Sequence, residues 1–204
     1  MNQIITVGRE FGSGGRELGR RLSEEMGIAY YDQEIITEIS KRTALSEEYV
    51  QQIMDSNPIS SFPIHVGQSF YPAPNPVFQQ RIQVFAQQHQ LLLELSEKSD
   101  CVIVGRCADY ILREKRPFRI FAYADLQSKL TRCMNRQGKQ EQFTEQEVKK
   151  RMAEIDRGRA KYYQFFSDQK WGARENYDLL INTTGADIKK IASALCSYLQ
   201  DLKK

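Results

Sequence analysis

Gly8, Gly12, Gly14 and Gly15 fall within eight residues of the chain, with Arg9, Ser13, Arg16 and Glu17 set among and just after them. The apolar run Ile4-Ile5-Thr6-Val7 leads into this loop, and an apparent helix over 17–26 leads out of it. A strand, a glycine-rich turn and a helix N-terminus point backbone N–H groups and the positive end of a helix dipole at one spot, which suits an anionic phosphate. The plainer use of such glycines is a β–α turn that needs positive φ. So many glycines between a buried-type strand and a helix favour phosphate binding. The pattern G-x-x-x-x-G-K-[ST] is not met, because no lysine follows a glycine in the loop and no Ser or Thr follows that. Two registers are open. In one, Gly12-Ser13-Gly14 make the tight turn and Gly15 sits where the lysine would be; in the other, Gly14-Gly15-Arg16-Glu17 replaces the lysine-bearing stretch and Arg16 supplies the cation. The second is preferred here, since arginine offers phosphate a planar fork of donors. Neither register brings a hydroxyl for magnesium, unless Ser13 or a water serves. The dinucleotide pattern G-x-G-x-x-G also fails, because Glu17 stands at its last glycine.

Other residues with chemical potential sit at the ends of apolar runs. Arg106 follows Cys101-Val102-Ile103-Val104-Gly105 directly, and an arginine at the end of a buried strand is costly unless it meets an anion. The bland alternative is an ion pair with Asp32, which closes an earlier short strand. Arg151, Arg157, Arg159 and Lys161 interleave with Glu154 and Asp156, a spacing that on its own describes a solvated helix laced with i,i+3 and i,i+4 pairs. Asp125 reads as a helix N-cap and not as a metal ligand. The aromatic group Tyr162, Tyr163, Phe165, Phe166 and Trp171 reads as packing, with base stacking the lesser use. His65 and His89 are incidental.

These residues need elements to carry them. Short strands are expected at 28–31, 101–104, 118–124 and 177–182 besides the first, with helices near 33–42, 46–55, 77–99 and 126–137, a capping box Thr144-x-x-Glu147 opening a charged helix, and a covering helix through Ile188, Ile191, Leu195, Leu199 and Leu202. Asn57 to Pro76 holds five of the six prolines and reads as a long functional loop. The alternation of strands and helices predicts a doubly wound parallel sheet that gathers ligands at the carboxyl ends of its strands, where the glycine loop, Asp32, Arg106 and Asp125 converge. The 204 residues suit one α/β domain. With 29 basic against 26 acidic residues, no global field argues for nucleic acid or a membrane surface. Four cysteines without a C-x-x-C pair and only two histidines make a zinc site improbable. No secretory signal and no long apolar run is present, so a reduced, soluble cytoplasmic protein is expected.

At this point the chain resembles the cytidylate kinase-like family, relatives of cytidylate kinase among the P-loop nucleoside monophosphate kinases. The resemblance rests on residues 4–17 at the glycine loop, Tyr30-Tyr31-Asp32, Val102-Ile103-Val104-Gly105-Arg106, Arg151 to Lys161, and Tyr177-Asp178-Leu179. It implies a three-layer P-loop fold with a five-stranded parallel sheet in a single domain over 1–204, with a helical acceptor subdomain at 33–99 and a lid at 139–176. It also implies transfer of the ATP γ-phosphoryl group, with Mg²⁺ bridging phosphates, to a nucleoside monophosphate such as CMP or a related small acceptor. The site it implies places ATP phosphates on Gly12, Ser13, Gly14, Gly15, Arg16 and Glu17, the acceptor on Asp32, Arg106 and Asp156, and the catalytic cations on Arg16, Arg157 and Arg159. The aspartate and arginine of that D-x-x-R pair would face the sugar and the transferring phosphate. This chain departs from the cytidylate kinases at Cys107, where they carry an aspartate, and at Glu38, where they carry an arginine for the acceptor phosphate. Two other functions stay in view: a nucleotide-binding regulatory protein that has lost transfer, and a kinase of a non-nucleotide small molecule. No metal-ligating side chain is assigned, and the oligomeric state is left open.

Overall fold

A computed structural model describes residues 2–55, 76–136 and 143–202. Most of the proline-rich loop, 57–75, together with His65, lies outside them, as does 139–142 of the expected lid.

Five parallel strands form one sheet in the order β2-β3-β1-β4-β5, where β1 is Ile4–Arg9, β2 Ala29–Tyr31, β3 Cys101–Val104, β4 Phe118–Tyr123 and β5 Leu179–Asn182. The first strand is central and both faces of the sheet are covered, which is why its neighbours read as unbroken apolar runs. On one face α1 (Gly15–Met26) and α8 (Ile188–Asp201) pack Leu18, Leu22, Ala192, Leu195 and Leu199 against Ile5, Val7, Val102 and Ile120. The opposite face takes α2 (Gln33–Thr43), α3 (Glu47–Asp55), α4 (Pro76–Lys98) and the short α5 (Ala108–Ile111), whose apolar side chains meet Ile4, Cys101 and Ile103. Beyond β4 come α6 (Leu126–Asn135) and the long α7 (Glu145–Ser167), joined through Leu130, Val148 and Met152. The alternation of Val102 and Val104 against Cys101 and Ile103 feeds two cores from one strand, giving the three expected layers.

The sequence signals at helix starts are realised. Asp125 accepts the Ser128 N–H at 2.6 Å, and Thr144 with Glu147 closes a reciprocal capping box. Several boundaries shift for physical reasons. The first strand runs on to Arg9, because Gly8 and Arg9 pair in register with Phe121 and Ala122. The first helix begins at Gly15 and not at 17, because Gly14 adopts the left-handed conformation (φ 81°) that starts it. The last strand begins at Leu179 and not at 177, where Asp178 instead pairs with Arg119.

Candidate functional site

The turn after β1 is built by Gly12 and Gly14, both at positive φ, and by the buried Ser13 between them. This places the tight turn on Gly12-Ser13-Gly14 and Gly15 at the first helical position, the backbone arrangement described by the first of the two registers. Ser13 is engaged inside the turn: its hydroxyl donates to the Glu10 carbonyl at 2.8 Å and accepts the Gly15 N–H at 3.3 Å, so it is not turned outward as a magnesium ligand. The loop is moored from behind by Thr183, whose fully buried hydroxyl donates to the Ser13 carbonyl at 2.6 Å. The early N–H groups of α1, which no helix carbonyl can take, open on a cavity of about 300 Å³ lined by Gly12, Gly14, Gly15 and Arg16.

The far wall of that cavity comes from α6 and α7 and is strongly basic, with Arg132, Arg136 and Arg151 lining it. Arg132 donates to the Thr183 carbonyl at 2.5 Å, and Arg136 pairs with Glu17 at 2.8 Å. Arg151 belongs to the charged segment singled out in the sequence, whereas Arg132 and Arg136 were not expected, although Lys129, Arg132 and Arg136 recur at the i, i+3, i+7 spacing of one helix face.

A second cavity of about 40 Å³ lies beside the first, against Gly105, Arg106, Cys107 and Asp109. Its aromatic walls are Tyr162, Tyr163, Trp171 and Tyr177, so three of the five aromatic residues that read as packing line a recess. Burial pushes the Asp109 carboxyl up, and it accepts the Tyr163 hydroxyl at 2.7 Å. Gly105, Arg106 and Cys107 are all left-handed, with φ of 70°, 60° and 51°, an uncommon run for which residues other than glycine incur strain. It turns Arg106 inward, where the side chain is buried against Met54 and Gln51 while its Nε has no hydrogen-bond partner. Burial lowers the Arg106 pKa, with Asp55 and Asp32 opposing the fall.

Arg9 and Arg159 line both cavities and mark their junction. The Arg9 pKa is pushed down to about 9, first by burial and then by the positive charges of Arg159 and Arg106. Four guanidiniums (Arg9, Arg16, Arg106, Arg159) thus stand against three nearby carboxylates, Asp32, Asp55 and Asp156, which leaves a surplus of positive charge that an anion would offset. Arg159 lies 3.3 Å from Asp55 and 3.9 Å from Asp156.

The remaining expected residues take other posts. Asp32, expected at the acceptor, lines neither cavity; it is buried with its Oδ2 2.5 Å from Arg16 and its Oδ1 3.7 Å from Arg9. Asp156, expected to face a sugar, also lines neither cavity; it accepts the Phe11 N–H at 2.7 Å and ties α7 to the glycine loop. Its carboxyl is raised to about 6 by burial, against the Phe11 hydrogen bond and the charges of Arg159 and Lys129. Glu17 is occupied by Arg21 and Arg136 on the side of α1 and lines neither cavity. Arg157 is exposed and lines neither cavity, because Arg159 two residues on takes the inward helix face; the structure does not bring it to the cluster. Glu38 pairs with Arg42 away from both cavities.

A parallel sheet in the order 2-3-1-4-5 with a glycine loop joining its central strand to a helix N-terminus defines a P-loop kinase fold. The chain belongs to the cytidylate kinase-like family, whose model matches residues 4–185. No curated protein matches it. Among solved structures, an uncharacterized protein from Eubacterium ventriosum is 25% identical with a TM-score of 0.70, covering 97% of this chain and 98% of its own. A shikimate kinase from Bacteroides thetaiotaomicron (15% identity, TM-score 0.57, 98% and 99% coverage) and one from Acinetobacter baumannii in complex with shikimate (19%, 0.51, 100% and 95%) share the fold.

Proposed function

We propose that the protein transfers the γ-phosphoryl group of ATP to a small phosphorylated acceptor of the nucleoside monophosphate class, CMP among them. The observation that carries this reading is the junction: two cavities, one floored by loop amides and one backed by Arg106, meet at Arg9 and Arg159. The larger would seat the triphosphate, with Gly12 to Arg16 supplying N–H groups and Arg132, Arg136 and Arg151 spreading positive charge along it. Arg106 would take the acceptor phosphate, whose charge replaces the partner its buried Nε lacks. Between the cavities, Arg159 and its neighbours stabilise charge on the equatorial oxygens of the group in transit, so catalysis is positioning and electrostatics with no covalent intermediate.

The carboxylates favour a phosphate acceptor over an alcohol. Asp32 is engaged by Arg16, Asp55 by Arg159 and Asp109 by Tyr163, which leaves none of them as a ready base for a hydroxyl. A phosphate oxygen is already an anion and needs no base. Magnesium fits poorly as a resident ion: among the described residues no group of three His, Cys, Asp or Glu is placed to hold a metal, Glu10 is engaged by Lys129, and Ser13 is turned inward. No step is assigned to the ion beyond its usual company with the nucleotide phosphates.

The test is a coupled ADP-release assay with Mg²⁺ over a panel of nucleoside monophosphates and small hydroxy acids, beside calorimetric ATP titration. Release with one or more monophosphates is expected. Release with hydroxy acids alone would turn the reading to a non-nucleotide kinase. ATP binding without release would favour a regulatory protein, and absence of ATP binding would overturn the donor site itself.

A further inference from the structure

The cation that a phosphate loop ordinarily takes from its own lysine is missing at Gly15, yet the space beside Gly15 is not empty. A Cβ on Gly15 would lie 2.5 Å from the Arg9 Cβ, and a Cβ on Gly105 would fall inside the Arg9 guanidinium. The Arg9 side chain therefore leaves the end of β1, crosses the start of α1 and reaches the turn after β3, over two positions that admit no side chain. Its guanidinium makes no hydrogen bond among the described residues, and its one ion pair, to Asp32, spans 3.7 Å while Arg16 holds the same carboxylate at 2.5 Å. Arg9 is 10% exposed at its side chain against 58% for Arg16, and Arg9 borders both cavities whereas Arg16 borders the larger only. A purely structural arginine in this interior would have short partners of its own.

We propose that Arg9 is the cation that meets the γ-phosphoryl group at the junction, taking from the β1 end the post that a loop lysine would otherwise fill, with Gly15 and Gly105 clearing its path. This rests on the phosphoryl-transfer reading above. In the transfer the bond between the γ-phosphorus and the bridging oxygen breaks as a bond to the acceptor oxygen forms, and ADP leaves with the electron pair. Arg9 exchanges no proton; it neutralises charge on the γ oxygens.

A group that touches the γ phosphate distinguishes ATP from ADP, and that difference is measurable without turnover. Calorimetric titration of wild type, Arg9→Met, Arg9→Lys, Gly105→Ala and Arg16→Met with ATP and with ADP is the experiment, and melting curves without ligand verify the fold of each. The wild type should prefer ATP, Arg9→Met should lose that preference by on the order of tenfold or more while its ADP affinity stays close to wild type, and Arg9→Lys should keep part of it. Gly105→Ala, which displaces the guanidinium without deleting it, should behave like Arg9→Met and serves in its place if that variant does not fold. In an active enzyme, turnover of Arg9→Met should fall on the order of 10²-fold or more. An ATP preference that survives Arg9→Met and Gly105→Ala, or that disappears in Arg16→Met instead, overturns the proposal. Loss of this preference in a protein that shows no transfer to any acceptor would leave Arg9 in place and refute only the transfer reading. A wild type that binds neither nucleotide refutes both.

Discussion

Replacing Asp156 by asparagine removes one charge but keeps an oxygen for the Phe11 N–H, so it isolates the electrostatics of the contact between α7 and the glycine loop. Two influences oppose each other there. Burial raises the carboxyl from its ordinary 3.8 to about 6, while the Phe11 hydrogen bond at 2.7 Å, Lys129 at 3.8 Å and Arg159 at 3.9 Å favour the charged form. Burial prevails because both cations are divided, Lys129 lying 2.9 Å from Glu10 and Arg159 3.3 Å from Asp55. The folded protein thus holds this proton more tightly than the unfolded chain does. The stabilisation it brings is fully present below pH ~4 and is lost as pH rises through about 6, a total of about 3 kcal/mol. The side chain is 19% exposed, so solvent screens little of it. Asparagine has no such proton. Urea unfolding of both proteins at constant ionic strength should show the stability of Asp156→Asn, relative to wild type, growing by about 2 kcal/mol between about pH 4.5 and about pH 7.5. A difference that stays constant, or that shrinks as pH rises, would mean that Lys129 and Arg159 outweigh burial and that the reasoning is wrong.

Arg106→Met should unfold at a denaturant concentration equal to or above wild type, because a buried cation with an unpartnered Nε is replaced by an apolar chain, while calorimetric affinity for CMP, or for the acceptor found by the panel, falls at least about tenfold. Thr183→Val keeps the shape but strips the Ser13 carbonyl of its buried donor, so chemical denaturation should show a loss of about 1–3 kcal/mol, and ATP affinity should fall as the loop loosens.

The glycine loop, its flanking strand and helix, and the alternation of strands and helices were legible because local rules dictate them, since unbroken apolar runs mark buried strands and glycines mark the turn. The order of the five strands was not, because it is set by pairings between distant segments. The basic wall of α6 was legible in principle from its spacing. Other features were not. Arg9 looked like a loop residue because nothing local shows that Gly8 and Arg9 extend the ladder against Phe121 and Ala122. Asp156 looked like a ligand-facing residue, since its partner, the Phe11 N–H, lies 145 positions away and becomes visible only when α7 packs on the loop. Arg157 and Arg159 are equivalent as residue types, and only the helix phase, fixed by the packing of Val148 and Met152, decides which of them turns inward.

The same packing explains why the charge imbalance is tolerated. Arg9 comes from the central strand, Arg106 from the turn after β3, Arg16 from the first helix and Arg159 from α7, so each is set by a different element, and all but the exposed Arg16 are held in the interior. Asp32, Asp55 and Asp156 compensate only part of this charge, and Asp109 is held by a tyrosine. A fold optimised for stability alone would pair these arginines or replace them with apolar residues. One that keeps them half-compensated gains stability when an anion arrives, by mass action, and holds its donors in place before the ligand does. Of the four, Arg9 and Arg159 lie where the two cavities meet, while Arg16 borders one and Arg106 the other, which is the arrangement the proposed transfer between two bound anions requires.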